Sequence, residues 1–252
     1  MAAIARGQAV RPTVRARSTV ITIVTDPVSS GRVVRRAPPA AGNRPIAPCP
    51  NRYATMTLSE LFRAIRQPYA DLLAKAATQL PAHIEPACRH ADGTLATEGP
   101  LALPWRADYI PTEGEAAGRP ARIDSFSRLE FEPISFEVEA ATVSIGPFAW
   151  DRATIEVDGL AENATIDLFK SWFCAWFDAD DARAPGEDGL HGVVHSLSEP
   201  ARIEEGWRVN VDFGSAPETA AEDVLFRLVD AGATRISLGS GDHDDEAGRR
   251  RC

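Results

Sequence analysis

The chain has 252 residues, is 44% hydrophobic and carries a formal net charge of −9, so it is long enough to bury a core as one domain or two small ones. Its apolar runs are short: Val20–Val24 is five residues, far from the roughly 20 needed to span a bilayer, and Cys49, Cys88, Cys174 and Cys252 form no CxxC pair or disulfide framework. These features argue against a membrane-spanning helix, a zinc ribbon and a small disulfide scaffold, and they fit a reducing cytoplasm.

The charge is unevenly spread. Residues 1–55 hold nine arginines and one acid, a net of +8, which leaves −17 on the remaining 197 residues. An acidic body repels phosphate backbones and anionic lipid, which argues against nucleic acid or membrane as partner. The first 55 residues lack sustained apolar periodicity and read as a disordered Arg/Pro-rich leader, with Met56 as an alternative start of the folded protein. At Thr57-Leu-Ser-Glu60 a capping box opens a helix, and Leu58, Leu61, Phe62 and Ile65 give it one apolar stripe. Pro68 should end it, so a short N-terminal helical pair is expected, the second member running to Pro81. From Pro81 to about residue 120 the chain reads as a long irregular connector with unplaced short strands inside it.

Beyond Arg122 the apolar period becomes two. The stretch RLEFEPISFEVEAATVSI alternates through Ile134, Phe136, Val138, Val143 and Ile145, and a further run places Ile155 and Val157 on one face. Then follow an aromatic helix, the strands HGVVHSLS and WRVNVDFG separated by a turn at Glu204–Gly206, a helix from Ser215–Glu218, and the strand TRISLGS. The fold class is α+β: an antiparallel β-sheet with two helices packed on one face, in a single domain over 56–240, with a flexible charged tail at 241–252.

The aromatic helix holds the densest feature. Phe169, Trp172, Phe173, Trp176 and Phe177 place five of eighteen aromatics in nine residues. At 100° per residue the apolar side covers an arc of about 200°, twice the stripe one sheet needs. Either segment 81–120 covers the excess, or Trp172 and Trp176 stay exposed beside Asp178, Asp180 and Asp181 as anchors for another protein. The acids do not make a calcium loop: counted from Asp178, Arg183 stands where glycine is required and Gly189 where a bidentate glutamate is. His191 and His195 have the i,i+4 spacing of a helical metal site, but Gly192, Val193 and Val194 between them read as strand, where such residues lie about 13 Å apart. No cofactor, metal or catalytic motif completes.

The reading that results is a small acidic, non-enzymatic binding protein. Its partner-binding residues are Trp172, Trp176, Asp178, Asp180 and Asp181, and its expected partner is a basic protein, in the manner of an immunity protein neutralising a toxin. Two alternatives stand beside it: an enzyme using paired carboxylates, for which Asp180 and Glu187 are the candidates, and a structural subunit module.

Overall fold

The computed structural model of the chain describes residues 20–23, 54–123 and 128–241. In chain order the elements are β1 (Val20–Ile23), β2 (Ala54–Thr57), α1 (Leu58–Gln79), β3 (Ala82–Ile84), β4 (Thr97–Glu98), β5 (Leu103–Pro104), β6 (Tyr109–Pro111), β7 (Ile134–Val138) and β8 (Ala141–Ile145). They continue with β9 (Ala153–Asp158), α2 (Glu162–Phe177), β10 (Ser196–Leu197), β11 (Ala201–Ile203), β12 (Gly206–Asp212), α3 (Glu218–Asp230) and β13 (Arg235–Gly239). Within the expected leader, β1 pairs antiparallel with β2, Val20 opposite Thr57; the rest of 1–53 and the tail 242–252 lie outside the described residues.

The capping box forms as the sequence implies: the Glu60 amide donates to Thr57 Oγ1 and the Thr57 amide to Glu60 Oε2. The helix then runs unbroken through Pro68, so one 22-residue helix replaces the expected pair. Proline removes one ladder bond and costs about 3 kcal/mol. Burial outweighs that cost here, because Leu58, Leu61, Phe62, Ile65, Tyr69, Ala70 and Leu73 continue one buried stripe across the proline.

The main sheet has seven strands in the order β10-β12-β9-β13-β8-β7, with β11 also pairing β12. It is mixed, because β13 lies between β8 and β9 and pairs parallel with β8, Ile236 opposite Val143. The expected all-antiparallel sheet is corrected at this one pairing: alternation specifies which face a side chain takes, and is silent on strand order and direction. Ala153, Ile155, Val157, Val143, Ile145, Val209, Val211, Ile236 and Leu238 form the buried apolar face. The opposite face carries Thr142, Ser144, Thr154, Glu156, Arg208, Asn210, Asp212 and Ser237. Residues 191–195 are not strand, since Gly192 takes φ +69 and breaks the extension, so β10 is two residues long.

Among the described residues three helices complete the core, α1 standing where a helical pair is expected ahead of the two on the sheet. Packing of α1 and α2 against α3 covers the broad aromatic arc of α2: the Trp172 indole N–H donates to the Ala220 carbonyl at 3.0 Å and that of Trp176 to Asp223 at 2.9 Å. The connector holds the short strands expected within it. It folds as two small antiparallel pairs, β3 with β6 and β4 with β5, stitched by bridges Ala87–Arg106 and Tyr109–Ala121. No helix among the described residues is long and apolar enough to cross a membrane.

Candidate functional site

Folding of the connector carries three charged residues into the interior: Glu85, Arg106 and Asp108 are 0%, 2% and 2% exposed. A buried guanidinium is stable only when its donors are taken. Arg106 gives Nε to the Phe177 carbonyl at 2.7 Å, shares its other nitrogens between the carbonyls of Glu85 and Asp178, and pairs with Asp181 at 2.8 Å. It thereby satisfies the orphan carbonyls at the end of α2, where Asp178 takes the left-handed conformation. The planar group also lies 4.8 Å from the Phe177 ring centroid.

Against this arginine sits a buried ion network. His195, fully buried, is 2.7 Å from Glu85 through Nε2 and 2.9 Å from Asp108 through Nδ1. Both neighbours are carboxylate oxygens, so both ring nitrogens donate and the ring is an imidazolium. Burial pulls its pKa down, but the hydrogen bonds to Asp108 and Glu85 and the charge of Asp212 prevail and raise it to about 10. Burial likewise pushes Glu85 and Asp108 up, and the imidazolium reverses this, leaving both below the usual carboxylate range. Glu85 also accepts the amides of His191 and Ser215, and Asp108 accepts the Tyr69 hydroxyl and the Ile123 amide. The cluster is saturated.

Next to it lie two further acids: Asp212 accepts the Gly214 amide at 2.9 Å, and Asp151 has Oδ2 3.6 Å from Arg152 Nε. Trp150 stacks on Phe213 with ring centroids 4.6 Å apart, and the Phe213 amide donates to the Trp150 carbonyl. The following residue on one side is Asp151, and the preceding residue on the other is Asp212; both line one pocket, and the charge of Asp212 is felt at Asp151. Asp151 is pushed up to about 7, first by burial and then by the charge of Asp212. Asp212 reaches about 6 because burial and the charge of Asp108 outweigh the attraction of His195. Oδ1 of Asp151 and Nε1 of Trp150 are buried with no hydrogen-bond partner. Gly214 holds the turn after this pair: at φ +53, an added Cβ would sit 2.2 Å from Cδ2 of His195.

Asp151 and Asp212 open into a pocket of about 620 Å³ on the polar face of the sheet, whose wall includes Trp105, Arg122, Thr154, Ser196 and Asn210. Ligand atoms of Asp108, His195 and Asp212 lie within 4.8 Å of one another, a spacing that a metal ion could bridge. The chemistry does not fit: a ring that donates from both nitrogens has no lone pair for an ion.

The residues singled out by sequence lie elsewhere, around the end of α2. Trp172 is fully buried, and Trp176 is half-buried under the Arg183 guanidinium at 5.6 Å. Asp178 Oδ2 accepts the Arg183 amide, Asp181 pairs with Arg89 as well as Arg106, and Asp180 is exposed. His191 turns away from His195, with Nδ1 2.9 Å from the Arg183 carbonyl. The residues missed were Glu85, Asp108, Asp151 and Asp212, which are separated from one another along the chain and carry no local motif. The single available signal was Trp150-Asp151 and Asp212-Phe213, two acids each joined to a large aromatic. No family model matches the chain, and no curated protein or solved structure matches it.

Proposed function

We propose that this pocket performs acid–base hydrolysis on a small polar substrate, with Asp151 and Asp212 as the working pair. The observation that carries the reading is Asp151: its Oδ1 is a buried carboxylate oxygen without a partner, and the residue lines, together with Asp212, a pocket large enough for a ligand. Near neutral pH Asp151 is about half protonated and Asp212 mainly ionised, which is the division of labour a general acid and a general base require. In one turnover Asp151 gives its proton to the leaving oxygen, Asp212 accepts one from the attacking water, and the bond R–O–R′ becomes R–OH and R′–OH. Solvent exchange at the pocket mouth then returns each acid to its starting state.

Incubation with a panel of nitrophenyl glycosides and esters tests the reading through nitrophenol release. Asp151→Asn and Asp212→Asn should each lower release from a responsive substrate by about 100-fold or more. Release by the wild type that never exceeds that of the two variants overturns it.

Recognition of a basic protein by the α2 end is the second reading, supported by the exposed Asp180, Glu187 and Asp188 next to the half-buried Trp176. Its test is Asp180→Lys with Asp188→Lys, which should slow association with a captured basic partner at low salt and leave the fold intact.

A further inference from the structure

We infer that the Asp151/Asp212 pocket is the middle of a continuous groove that holds a neutral, hydroxyl-rich linear chain, an oligosaccharide, across the polar face of the sheet. The inference rests on the proposed hydrolytic role for its chemistry and on separate observations for its shape. Three cavities join end to end. One of about 220 Å³, over Gly99, Leu103 and Pro104, shares Glu98, Trp105, Ser196, Leu197 and Ser198 with the central pocket. Another of about 140 Å³, over Ser237 and Ser240, shares Thr154, Arg208 and Gly241 with it. The groove therefore crosses β10, β12, β9 and β13, about 14 Å at three inter-strand spacings, with the acids along the middle section.

The lining selects the ligand class. A groove that runs across strands, over the face of a sheet, offers no free backbone, because the ladders consume those groups; a peptide added in the usual way would need an open strand edge. What the groove offers is side chains with spare hydrogen-bonding capacity: Thr154 and Asn210 bond each other at 3.0 Å, yet the Asn210 amide keeps both donors, and Ser196 and Ser237 add hydroxyls. Trp105 supplies a flat apolar platform at the β5 end. Acids and arginines are mixed along the path, Glu98, Asp151, Asp212 and Glu156 with Arg122, Arg152 and Arg208, the last paired to Glu156, so the groove has no continuous basic track for a polyphosphate chain. A chain of sugar rings, with hydroxyls on the edges and apolar faces, matches hydroxyl, amide and indole together, and its glycosidic oxygens are the bonds that a carboxylate pair cleaves.

The experiment is calorimetric titration of the full chain with cello-, chito-, malto- and xylohexaose and with the matching monosaccharides. At least one hexasaccharide should bind ten-fold or more tightly than its monosaccharide. Trp105→Ala at one end and Ser237→Tyr at the other should each reduce that binding at least five-fold. Ser237 lies on the open face, away from the core, so its variant keeps the test sound if Trp105→Ala destabilises the protein. Hexasaccharides that bind no better than monosaccharides, or binding indifferent to both end variants, overturn the groove. Cleavage of nitrophenyl monosaccharides without any gain for the hexamers leaves the hydrolytic reading standing and removes only the chain. Tight hexasaccharide binding without turnover supports the groove and removes the hydrolytic reading.

Discussion

The Trp150 ring lies 4.6 Å from the Phe213 ring, and each is joined by one peptide bond to an acid of the pocket. Packing and chemistry are thus coupled here: the same stack that fills the core between β9, β12 and α1 fixes where the two carboxylates point. Phe62 and Phe148 extend the cluster, with centroids 6.4 and 6.3 Å from Trp150.

Phe213→Ala should therefore do two things at once. Removing a fully buried ring is expected to cost about 3–5 kcal/mol. The loss, read from chemical denaturation, should be accompanied by reduced turnover of any substrate the wild type cleaves, because Asp151 and Asp212 lose their shared support. A cost below about 1 kcal/mol contradicts the burial on which the site depends.

The two acids should titrate as a coupled pair. Carbon-detected NMR of aspartate carboxyls is expected to show two groups well above the usual range, at about 7 and about 6. In Asp212→Asn the charge that helps raise Asp151 is gone, so the remaining high pKa should fall. An unchanged value assigns the shift to burial alone.

Stability should fall as pH rises from 5 to 10. His195 has a folded pKa of about 10 against an ordinary 6.5, so the native state holds an extra proton between those limits, and its stabilisation, complete below 6.5, is lost as pH passes 10. Asp151 and Asp212, with raised values, add a decline with the same sign from about pH 4 to 7. Glu85 and Asp108, with lowered values, act oppositely and weaken the fold only as pH drops below their ordinary range. Denaturation midpoints across this window should lose their slope above pH 7 in His195→Gln, and NMR of the His195 ring should show it protonated at pH 8.

Arg106→Met removes the cap on α2 and leaves Asp181 with Arg89 alone. The carbonyls of Glu85, Phe177 and Asp178 lose a charged donor, so a loss of about 3–5 kcal/mol is expected, measured by urea denaturation. Arg106→Lys should recover only part of it, since one ammonium cannot reach carbonyls on both sides of the planar fork.

Local signals were legible and remote ones were not. The Thr57–Glu60 capping box, the turn before Gly206, the start of α3 and the inward faces of β8, β9 and β12 follow from residues within a few positions of each other. Pro68 was misleading because helix propensity is a local quantity and the buried stripe that overrides it is a tertiary one. His195 finds its partners 87 and 110 residues away, in a connector whose composition suggests a loop. The Gly192, Val193 and Val194 between it and His191 argued against a helical metal pair but carried no trace of Glu85 or Asp108. The excess apolar arc of α2 was visible; that α3 covers it depended on where β12 and β13 carry that helix.

The position of β13 has a consequence for how the protein is made. Without residues 235–239 the β7–β8 hairpin and the β9–β12 ribbon would have no ladder between them, because β8 and β9 pair only through β13. Each presents a bare inner edge lined by residues such as Val143, Ile145, Ile155 and Val157. The last strand is a keystone: its arrival closes both edges in one step, and any nascent chain that stalls after α3 offers two adhesive seams to its neighbours.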